Sequence, residues 1–203
     1  MTKHYFTWLA LGDSYTTGES VALHESFPYQ TIQILRNNGL HFQAPEIVAA
    51  TGWITLELVE HIIHTRLNES YDFVTLLIGV NNQYRGLSEE DYKEDFEFLL
   101  KKAIHFADDR SDHVIVLSLP DWSVTPFAKD RDTKKISEEI DRFNTINEQL
   151  SAAYKVRYIN ITPGTREAAN HSELVTKDGL HPSKKEYAKW AQLVADAMQS
   201  IIS

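Results

Sequence analysis

Four short polar or glycine-bearing segments of this sequence contain the residue types that acyl-transfer chemistry uses. Ser14 lies in "GDSYTTGES", Gly52 in "ATGW", Asn81 in "GVNNQYRG", and Asp178 and His181 in "KDGLHPS". Together they provide a hydroxyl, an imidazole, a carboxylate and hydrogen-bond donors. These groups could form a site in which a serine attacks a carbonyl, a histidine takes its proton and a carboxylate orients the histidine.

The spacing of Asp178 and His181 supports this interpretation. Three residues apart in a turn, the two side chains are expected on the same side of the chain. The carboxylate could then hold the imidazole Nδ1–H and leave Nε2 facing Ser14. The backbone N–H groups of Ser14 and Gly52 and the side-chain amide of Asn81 are donors from three strand ends, and they could converge on one oxygen.

The elements that must position these residues are predicted from alternating apolar runs and helical patterns. The runs are rich in β-branched and aromatic residues, which is typical of strands buried on both faces. They cover residues 6–11, 46–50, 73–79, 113–119 and 156–161. Helices are predicted at 27–38, 55–67, 88–108, 134–153 and 184–201. The alternation predicts an α/β fold with parallel strands, right-handed crossovers and helices on both faces of the sheet.

Local signals mark several ends of these elements. Gly39 follows the first long helix, and Ser88 is predicted as an N-cap before an acidic first turn. Ser183, with Glu186 three residues later, predicts a capping box on the last helix. The least regular segment, 120–132, is long enough to line a site.

The topology explains how segments so distant in sequence could form one site. In open parallel sheets, ligands bind outside the carboxyl ends of the strands. The Ser14, Gly52 and Asn81 segments each follow a predicted strand, and the segment with Asp178 and His181 lies downstream of the last one. We therefore expect all four at the same edge of the sheet. Taken alone, a serine in such a turn is more often a helix cap than a nucleophile.

Composition restricts the classes of function. The 203 residues, with 42% hydrophobic and 24% charged residues, predict one soluble globular domain. A net charge of −9 without a basic patch argues against nucleic acid or anionic membranes as partners. The absence of cysteine excludes disulfides, thiolate metal sites and a cysteine nucleophile. Neither a signal peptide nor a transmembrane run is evident, so a cytoplasmic location is expected.

The four segments resemble the four blocks of the SGNH hydrolases, also called the GDSL esterase and lipase family, which carry Ser, Gly, Asn and His. The matches are "GDS" at 12–14, Gly52, "GVNN" at 79–82 and "DGLHPS" at 178–183. Their order and approximate spacing agree from end to end, so residues 1–203 are expected to form a single SGNH-hydrolase-like domain. The resemblance implies a flavodoxin-like three-layer α/β/α fold whose five-stranded parallel sheet has the order 2-1-3-4-5.

The resemblance also implies a role for each matched residue. Ser14 corresponds to the nucleophile, His181 to the base and Asp178 to the acid that orients it, while Ser14, Gly52 and Asn81 form the oxyanion hole. The sequence departs from the family pattern in "GDSY" for the usual "GDSL" and in Asn82, where the third block often has Asp. The G-x-S-x-G elbow of α/β-hydrolases is absent.

These residues predict a serine hydrolase of small carboxylic esters that acts through an acyl-enzyme and needs no cofactor or metal. By resemblance, its substrates include short-chain or acetyl esters, acetylated sugars, lysophospholipids and acyl thioesters. Two alternatives stay open. One is a thioesterase or acyltransferase with the same triad, and the other is a non-catalytic flavodoxin-like domain that binds a phosphate at the helix after "GDSYTTG".

Aromatic residues near the four segments are candidates for lining a substrate pocket, although core packing explains them equally well. They are Tyr15, Trp53, Tyr84, Trp122 and Phe127. His61 and His64, in "HIIH", are neighbours on a helix and could suggest a metal pair. Because both fall off the predicted apolar face, which is defined by Val59, Ile62 and Ile63, and no third ligand is evident, we expect them to be solvated.

Overall fold

A five-stranded parallel sheet forms the centre of the fold. The computed structural model describes residues 4–202, and the strands have the order β2-β1-β3-β4-β5, as the family resemblance implies. They are β1 (Trp8–Asp13), β2 (Glu46–Ala50), β3 (Phe73–Leu77), β4 (Val114–Leu117) and β5 (Arg157–Ile159). In β1, which lies between β2 and β3, Gly12 pairs with Ala49 on one side and with Leu77 on the other.

Helices cover both faces of the sheet, which gives the predicted three-layer α/β/α architecture. The five long helices are α2 (Phe27–Asn37), α3 (Thr55–His64), α5 (Glu89–Phe106), α6 (Thr133–Ala153) and α8 (Lys184–Ile202). Three short ones are α1 (Ser14–Thr17), α4 (Val80–Tyr84) and α7 (Thr162–Arg166). Helix α2 packs on α8, whereas α5 packs on both α3 and α6.

The short helices α1 and α4 were not predicted, and they matter most for the site. Strand β1 continues through Asp13, two residues beyond the predicted end, so Ser14 is the first residue of α1. The residue that caps α1 is Asp13, whose Oδ1 accepts the N–H of Tyr15 at 3.0 Å. Ser14 is therefore not the helix cap, which removes the simplest structural explanation for a serine at this position.

Of the other predicted helix ends, the cap at Ser88 is confirmed, whereas the capping box at Ser183 and the end of α3 are wrong. Ser88 caps α5 as predicted, since its hydroxyl accepts the N–H of Asp91. The capping box predicted at Ser183 does not form. Its hydroxyl donates to the carbonyl of Glu173 at 2.7 Å, while the buried Glu186 side chain accepts from the Trp190 indole at 2.9 Å. Helix α3 ends at His64, three residues before the predicted end.

The core lies on both sides of the sheet, where apolar side chains of the strands meet the helices. All six residues of β1 and all five of β3 are buried, as their largely apolar sequences predict. The Trp8 indole donates to the Thr75 hydroxyl at 3.1 Å, which satisfies a polar group inside this layer. Among residues 4–202, no helix is long and apolar enough to cross a bilayer.

Candidate active site

The carboxyl edge of the sheet brings residues from all four predicted segments around one cavity. Ser14, Gly52, Asn81 and His181 all line this cavity, whose volume is about 200 Å³. Ser14 follows β1, Gly52 follows β2 and Asn81 lies in α4 after β3, so parallel strand topology accounts for three of the four positions. His181 comes from the loop that precedes α8.

Ser14, His181 and Asp178 form a continuous chain of hydrogen bonds. The Nε2 atom of His181 lies 3.0 Å from the Ser14 Oγ, and its Nδ1 lies 2.7 Å from Asp178 Oδ2. An ionised carboxylate only accepts hydrogen bonds, so Nδ1 carries a proton and Nε2 of the neutral imidazole is the acceptor for the serine hydroxyl. In this arrangement the imidazole can take the proton of Ser14.

The Asp178 carboxylate is fixed by several further donors. Its Oδ1 accepts the backbone N–H groups of Leu180 at 2.8 Å and His181 at 3.0 Å, together with the Thr176 hydroxyl at 2.6 Å. Partial burial by itself raises the pKa of Asp178, but the hydrogen bonds from Ser20, Thr176 and His181 outweigh it and hold the pKa well below its usual value. Asp178 therefore stays ionised throughout the neutral and mildly acidic range.

Ser20 is a participant that the sequence did not reveal. Its hydroxyl donates at 2.6 Å to Asp178 Oδ2, the oxygen that also faces His181. Ser20 has a φ of 65°, a left-handed conformation that costs energy for a residue other than glycine. A side chain 158 positions away in sequence thus helps to orient the carboxylate.

Asp13, next to Ser14, is a buried acid of unusual character. Its side chain is fully inaccessible, and no group of the described residues hydrogen-bonds its Oδ2. Burial raises the pKa of Asp13 to about 7, although the N–H of Tyr15 opposes the shift. The carboxyl group beside Ser14 is therefore largely protonated below neutral pH, which limits negative charge near the hydroxyl.

The loop that carries Asn81 depends on Gly79. This residue has a φ of 135°, and a Cβ there would lie 2.6 Å from atoms of the Tyr92 side chain. The single O–H of Tyr92 has two acceptors within reach, Asn147 Oδ1 at 2.7 Å and the Ile78 carbonyl at 3.1 Å, so the ring cannot easily move away. Glycine is required here both for the backbone conformation and for space.

Asn81 is oriented by a contact with the neighbouring loop. Its Nδ2 donates to the Trp53 carbonyl at 3.0 Å, just beyond Gly52. A side-chain amide has two N–H donors. Within the part of the chain that the structure describes, the second N–H of Asn81 has no acceptor, and the side chain borders the cavity.

Asn82, the departure from the family pattern, has a structural role of its own. Its Oδ1 accepts the backbone N–H of Thr55 at 3.1 Å and its Nδ2 donates to the Thr55 hydroxyl at 2.7 Å. That hydroxyl in turn donates to Asp95 at 2.8 Å. An aspartate at position 82 would need the Thr55 hydroxyl as a donor, whereas Asp95 takes that donor here, so asparagine suits this environment.

Aromatic side chains form much of the cavity wall. Tyr15, Tyr84, Trp122 and Phe127 line it, and the Tyr15 ring lies 5.3 Å from the imidazole of His181, centroid to centroid. Trp53, the remaining aromatic candidate, is not among the lining residues. Its ring packs on His61 at a centroid distance of 4.9 Å, outside this cavity.

Segment 120–132 supplies two of these aromatic residues. The Trp122 indole donates to Gln83 in α4 at 2.8 Å, and the backbone N–H of Phe127 donates to the Gly179 carbonyl at 2.9 Å. The irregular segment is thus connected both to the Asn81 helix and to the loop with Asp178 and His181. These contacts set the position of the aromatic wall relative to Ser14.

His61 and His64 lie on the exposed side of α3, as predicted. Ile63 between them is 54% exposed, which differs from its predicted place on the apolar face. Across residues 4–202, no cluster of three or more histidine, aspartate and glutamate side chains has a geometry that could hold a metal ion.

Comparison with known families gives the assignment. A profile of the GDSL-like lipase/acylhydrolase family matches residues 10–189, which include all four segments at the cavity. The chain belongs to this family. A GDSL-like acylhydrolase is a carboxylic ester hydrolase, so the interpretation as a non-catalytic binding domain is excluded. A search of curated proteins found no significant match.

Several solved structures share the fold of this chain at low sequence identity. The chain is similar to TesA, with a TM-score of 0.74, 16% identity and coverage of 96% of this chain and 98% of the other. It is similar to a variant of Axe2, an acetyl xylan esterase from Geobacillus stearothermophilus, with a TM-score of 0.74, 14% identity and coverage of 95% of this chain and 94% of the other. It is also similar to a lipase/acylhydrolase from Enterococcus faecalis, with a TM-score of 0.73, 20% identity and coverage of 96% of each chain.

Proposed function

We propose that this protein is a serine esterase that hydrolyses small carboxylic esters through an acyl-enzyme on Ser14. The observation that carries the proposal is the hydrogen-bond chain from Ser14 through His181 to Asp178, which opens into the cavity. Ser14 itself is buried except for this opening. The arrangement has the nucleophile, base and orienting acid of a serine hydrolase.

In the first half of the reaction, the ester carbonyl enters the cavity above Ser14. His181 Nε2 removes the hydroxyl proton while Oγ attacks the carbonyl carbon, and Asp178 stabilises the imidazolium that results. The carbonyl oxygen becomes an oxyanion, which the N–H groups of Ser14 and Gly52 and the free N–H of Asn81 accommodate. When the tetrahedral intermediate collapses, His181 gives its proton to the departing alcohol.

In the second half, water replaces the alcohol. His181 takes a proton from the water as its oxygen attacks the acyl-enzyme carbonyl, and the same donors hold the second oxyanion. The proton then passes to Ser14 Oγ as the acid leaves, which restores the starting state. No step requires a group beyond the side chains and backbone of this chain.

The cavity favours small substrates. Its volume of about 200 Å³ lies below the range of roughly 300–1,000 Å³ that is usual for drug-sized ligands. Four aromatic side chains line it, so a short acyl chain or an aryl group can make apolar contacts there. Short-chain and acetyl esters therefore fit the site better than long-chain lipids.

Labelling with a fluorophosphonate tests the proposal directly. This reagent forms a covalent bond with an activated serine and ignores a serine that only caps a helix. We expect one label per chain, located at Ser14 by peptide mass spectrometry, and no label in Ser14→Ala. The variant Ser88→Ala, which removes a helix cap far from His181, should label like the wild type. Labelling of Ser14→Ala, or none in the folded wild type, would contradict the proposal.

The oxyanion hole gives a second prediction. Asn81→Ala should lower kcat by roughly 10²- to 10³-fold, about 2.7–4 kcal/mol, with little change in KM. The reason is that the hydrogen bond from the Asn81 side-chain amide to the substrate oxygen strengthens in the transition state. Asn82→Ala is the matched control. It should lower kcat much less and act mainly on thermal stability, since Asn82 connects α4 to Thr55.

Steady-state kinetics on one activated short-chain ester, together with melting curves, separate these effects. If Asn82→Ala lowered kcat strongly and Asn81→Ala did not, the oxyanion donor would be Asn82, and the match of the third family block to this sequence would be shifted by one residue. If neither mattered, Ser14 and Gly52 would have to hold the oxyanion alone.

A further inference from the structure

A single arginine stacks on the aromatic wall of the cavity. The Arg131 guanidinium carbon lies 4.9 Å from the centroid of the Tyr84 ring, 5.3 Å from that of Phe127 and 5.5 Å from that of Trp122. These three rings all line the cavity that holds Ser14. Tyr84 and Phe127 are 44% and 42% exposed, so they form its rim, and Arg131 lies at that rim.

Within residues 4–202, the charge of Arg131 has no counter-ion. Among the described residues, no carboxylate lies within 4.0 Å of its guanidinium, and the only side-chain acceptor it reaches is the Tyr84 hydroxyl at 3.1 Å. Its sequence neighbour Asp132 caps α6 by accepting the N–H of Lys135 at 3.0 Å. An unpaired cation next to a substrate cavity is notable in a chain with a net charge of −9.

Arg85, whose guanidinium contacts the cavity residue Gly52, is a useful contrast. It donates to the Gly52 carbonyl at 2.6 Å and lies 3.4 Å from the Glu57 carboxylate, so it is engaged within the protein. The Arg131 guanidinium carbon lies over these rings, and within the described residues its N–H groups make one side-chain hydrogen bond, to the Tyr84 hydroxyl. A guanidinium has five N–H donors, and stacking on a ring leaves them free for acceptors in its plane.

We propose that Arg131 forms a rim subsite that selects esters carrying an anionic oxygen group, a carboxylate or a phosphate, apart from the ester bond. The inference rests on the proposed esterase function of Ser14 and deepens it by naming a substrate class. Carboxylate and phosphate oxygens both match the planar edge of a guanidinium. The aromatic rings hold that edge at the rim, so little side-chain freedom is lost on binding.

Matched esters test the proposal. On the alcohol side, 4-methylphenyl acetate is the neutral reference for 4-acetoxybenzoate and 4-acetoxyphenyl phosphate, which separate carboxylate from phosphate. On the acyl side, 4-nitrophenyl valerate is the reference for mono-4-nitrophenyl glutarate. Each kcat/KM is divided by the rate of hydroxide hydrolysis of the same ester, which removes differences in intrinsic reactivity.

We expect Arg131→Gln to lower kcat/KM about tenfold for at least one anionic ester, mainly through KM, and to change its neutral reference by less than twofold. Lys129→Gln is the control, because it makes the same charge change at an exposed position of the same segment. It should leave the ratio of anionic to neutral ester unchanged. The wild-type preference should also weaken as salt is raised.

Other results would overturn the inference. Equal losses on neutral and anionic esters would mean that Arg131 only supports the aromatic wall. No loss on any anionic ester, or the same loss in Lys129→Gln, would mean that the guanidinium does not contact the substrate. In each of these cases the neutral esters are still hydrolysed, so the esterase function survives. A wild type that hydrolyses none of the esters would refute the esterase function and the subsite with it.

Discussion

Replacing Ser14 by alanine is expected to abolish ester hydrolysis and leave the fold intact. Without Oγ there is no nucleophile and no acyl-enzyme, and loss of the nucleophilic serine costs about 10⁶-fold in kcat in a well-studied serine protease. The melting temperature should change little because Asp13, and not Ser14, caps α1. Steady-state rates on a short-chain 4-nitrophenyl ester and a thermal melt provide both measurements.

A matched substitution makes this prediction more specific. Ser20→Ala also removes a serine hydroxyl close to the triad, but the partner of this hydroxyl within residues 4–202 is Asp178 alone. It should leave measurable hydrolysis, whereas Ser14→Ala should leave none above the background reaction. Comparable kcat in Ser14→Ala and the wild type would refute the assignment of Ser14 as the nucleophile. A fall in melting temperature with unchanged activity would return Ser14 to a structural role.

His181→Ala should be nearly as damaging as the loss of Ser14, because the hydroxyl then has no base. Removal of the carboxylate in Asp178→Ala should cost less, since Asp178 only orients and stabilises the imidazole. His64→Ala, which removes an exposed histidine of α3, is the control and should retain full activity. Equal activity of His181→Ala and the wild type across the pH range would refute the assignment.

The same base predicts how activity depends on pH. His181 must be neutral to accept a proton, so kcat/KM should fall as the pH is lowered and the imidazole becomes charged. Asp178 does not contribute to this limb, because its pKa is held well below the usual value and it stays ionised. Asp13 could contribute, because burial raises its pKa to about 7.

Asp13→Asn separates the two groups. Asparagine retains an oxygen that can cap α1 but does not titrate. If His181 is responsible, the acid limb of kcat/KM should persist in Asp13→Asn. Loss of the acid limb in Asp13→Asn would mean that ionisation of Asp13, and not of His181, causes the pH dependence. Because burial raises the pKa of Asp13 from 3.8 to about 7, the unfolded chain loses this proton at lower pH than the folded chain, so the melting temperature should fall as the pH rises from about 4 to about 7 and then level off. Asparagine should remove this dependence.

The overall fold could be predicted from the sequence because its signals are local and repeated. Uninterrupted apolar runs such as that of β3 mark strands buried on both faces, and the helices between them require parallel connections. Ser88 was predicted correctly as a cap because an N-cap depends on the next few residues only. The capping box at Ser183 did not form because its two side chains have other partners: Glu186 accepts from the Trp190 indole one turn along α8, and the Ser183 hydroxyl, which accepts the N–H of Lys185, donates to the Glu173 carbonyl.

The sequence by itself determined which chemical groups follow the strands, and parallel topology then requires groups such as Ser14 and Asn81 to share one edge. Only the tertiary structure decided how the side chains are directed there. The hydrogen bond from Ser20 to Asp178, the stacking of Arg131 on Tyr84 and the position of Trp53 outside the cavity depend on contacts between segments far apart in the chain. The direction of a side chain is set by the packing of such remote neighbours, which no local sequence pattern encodes.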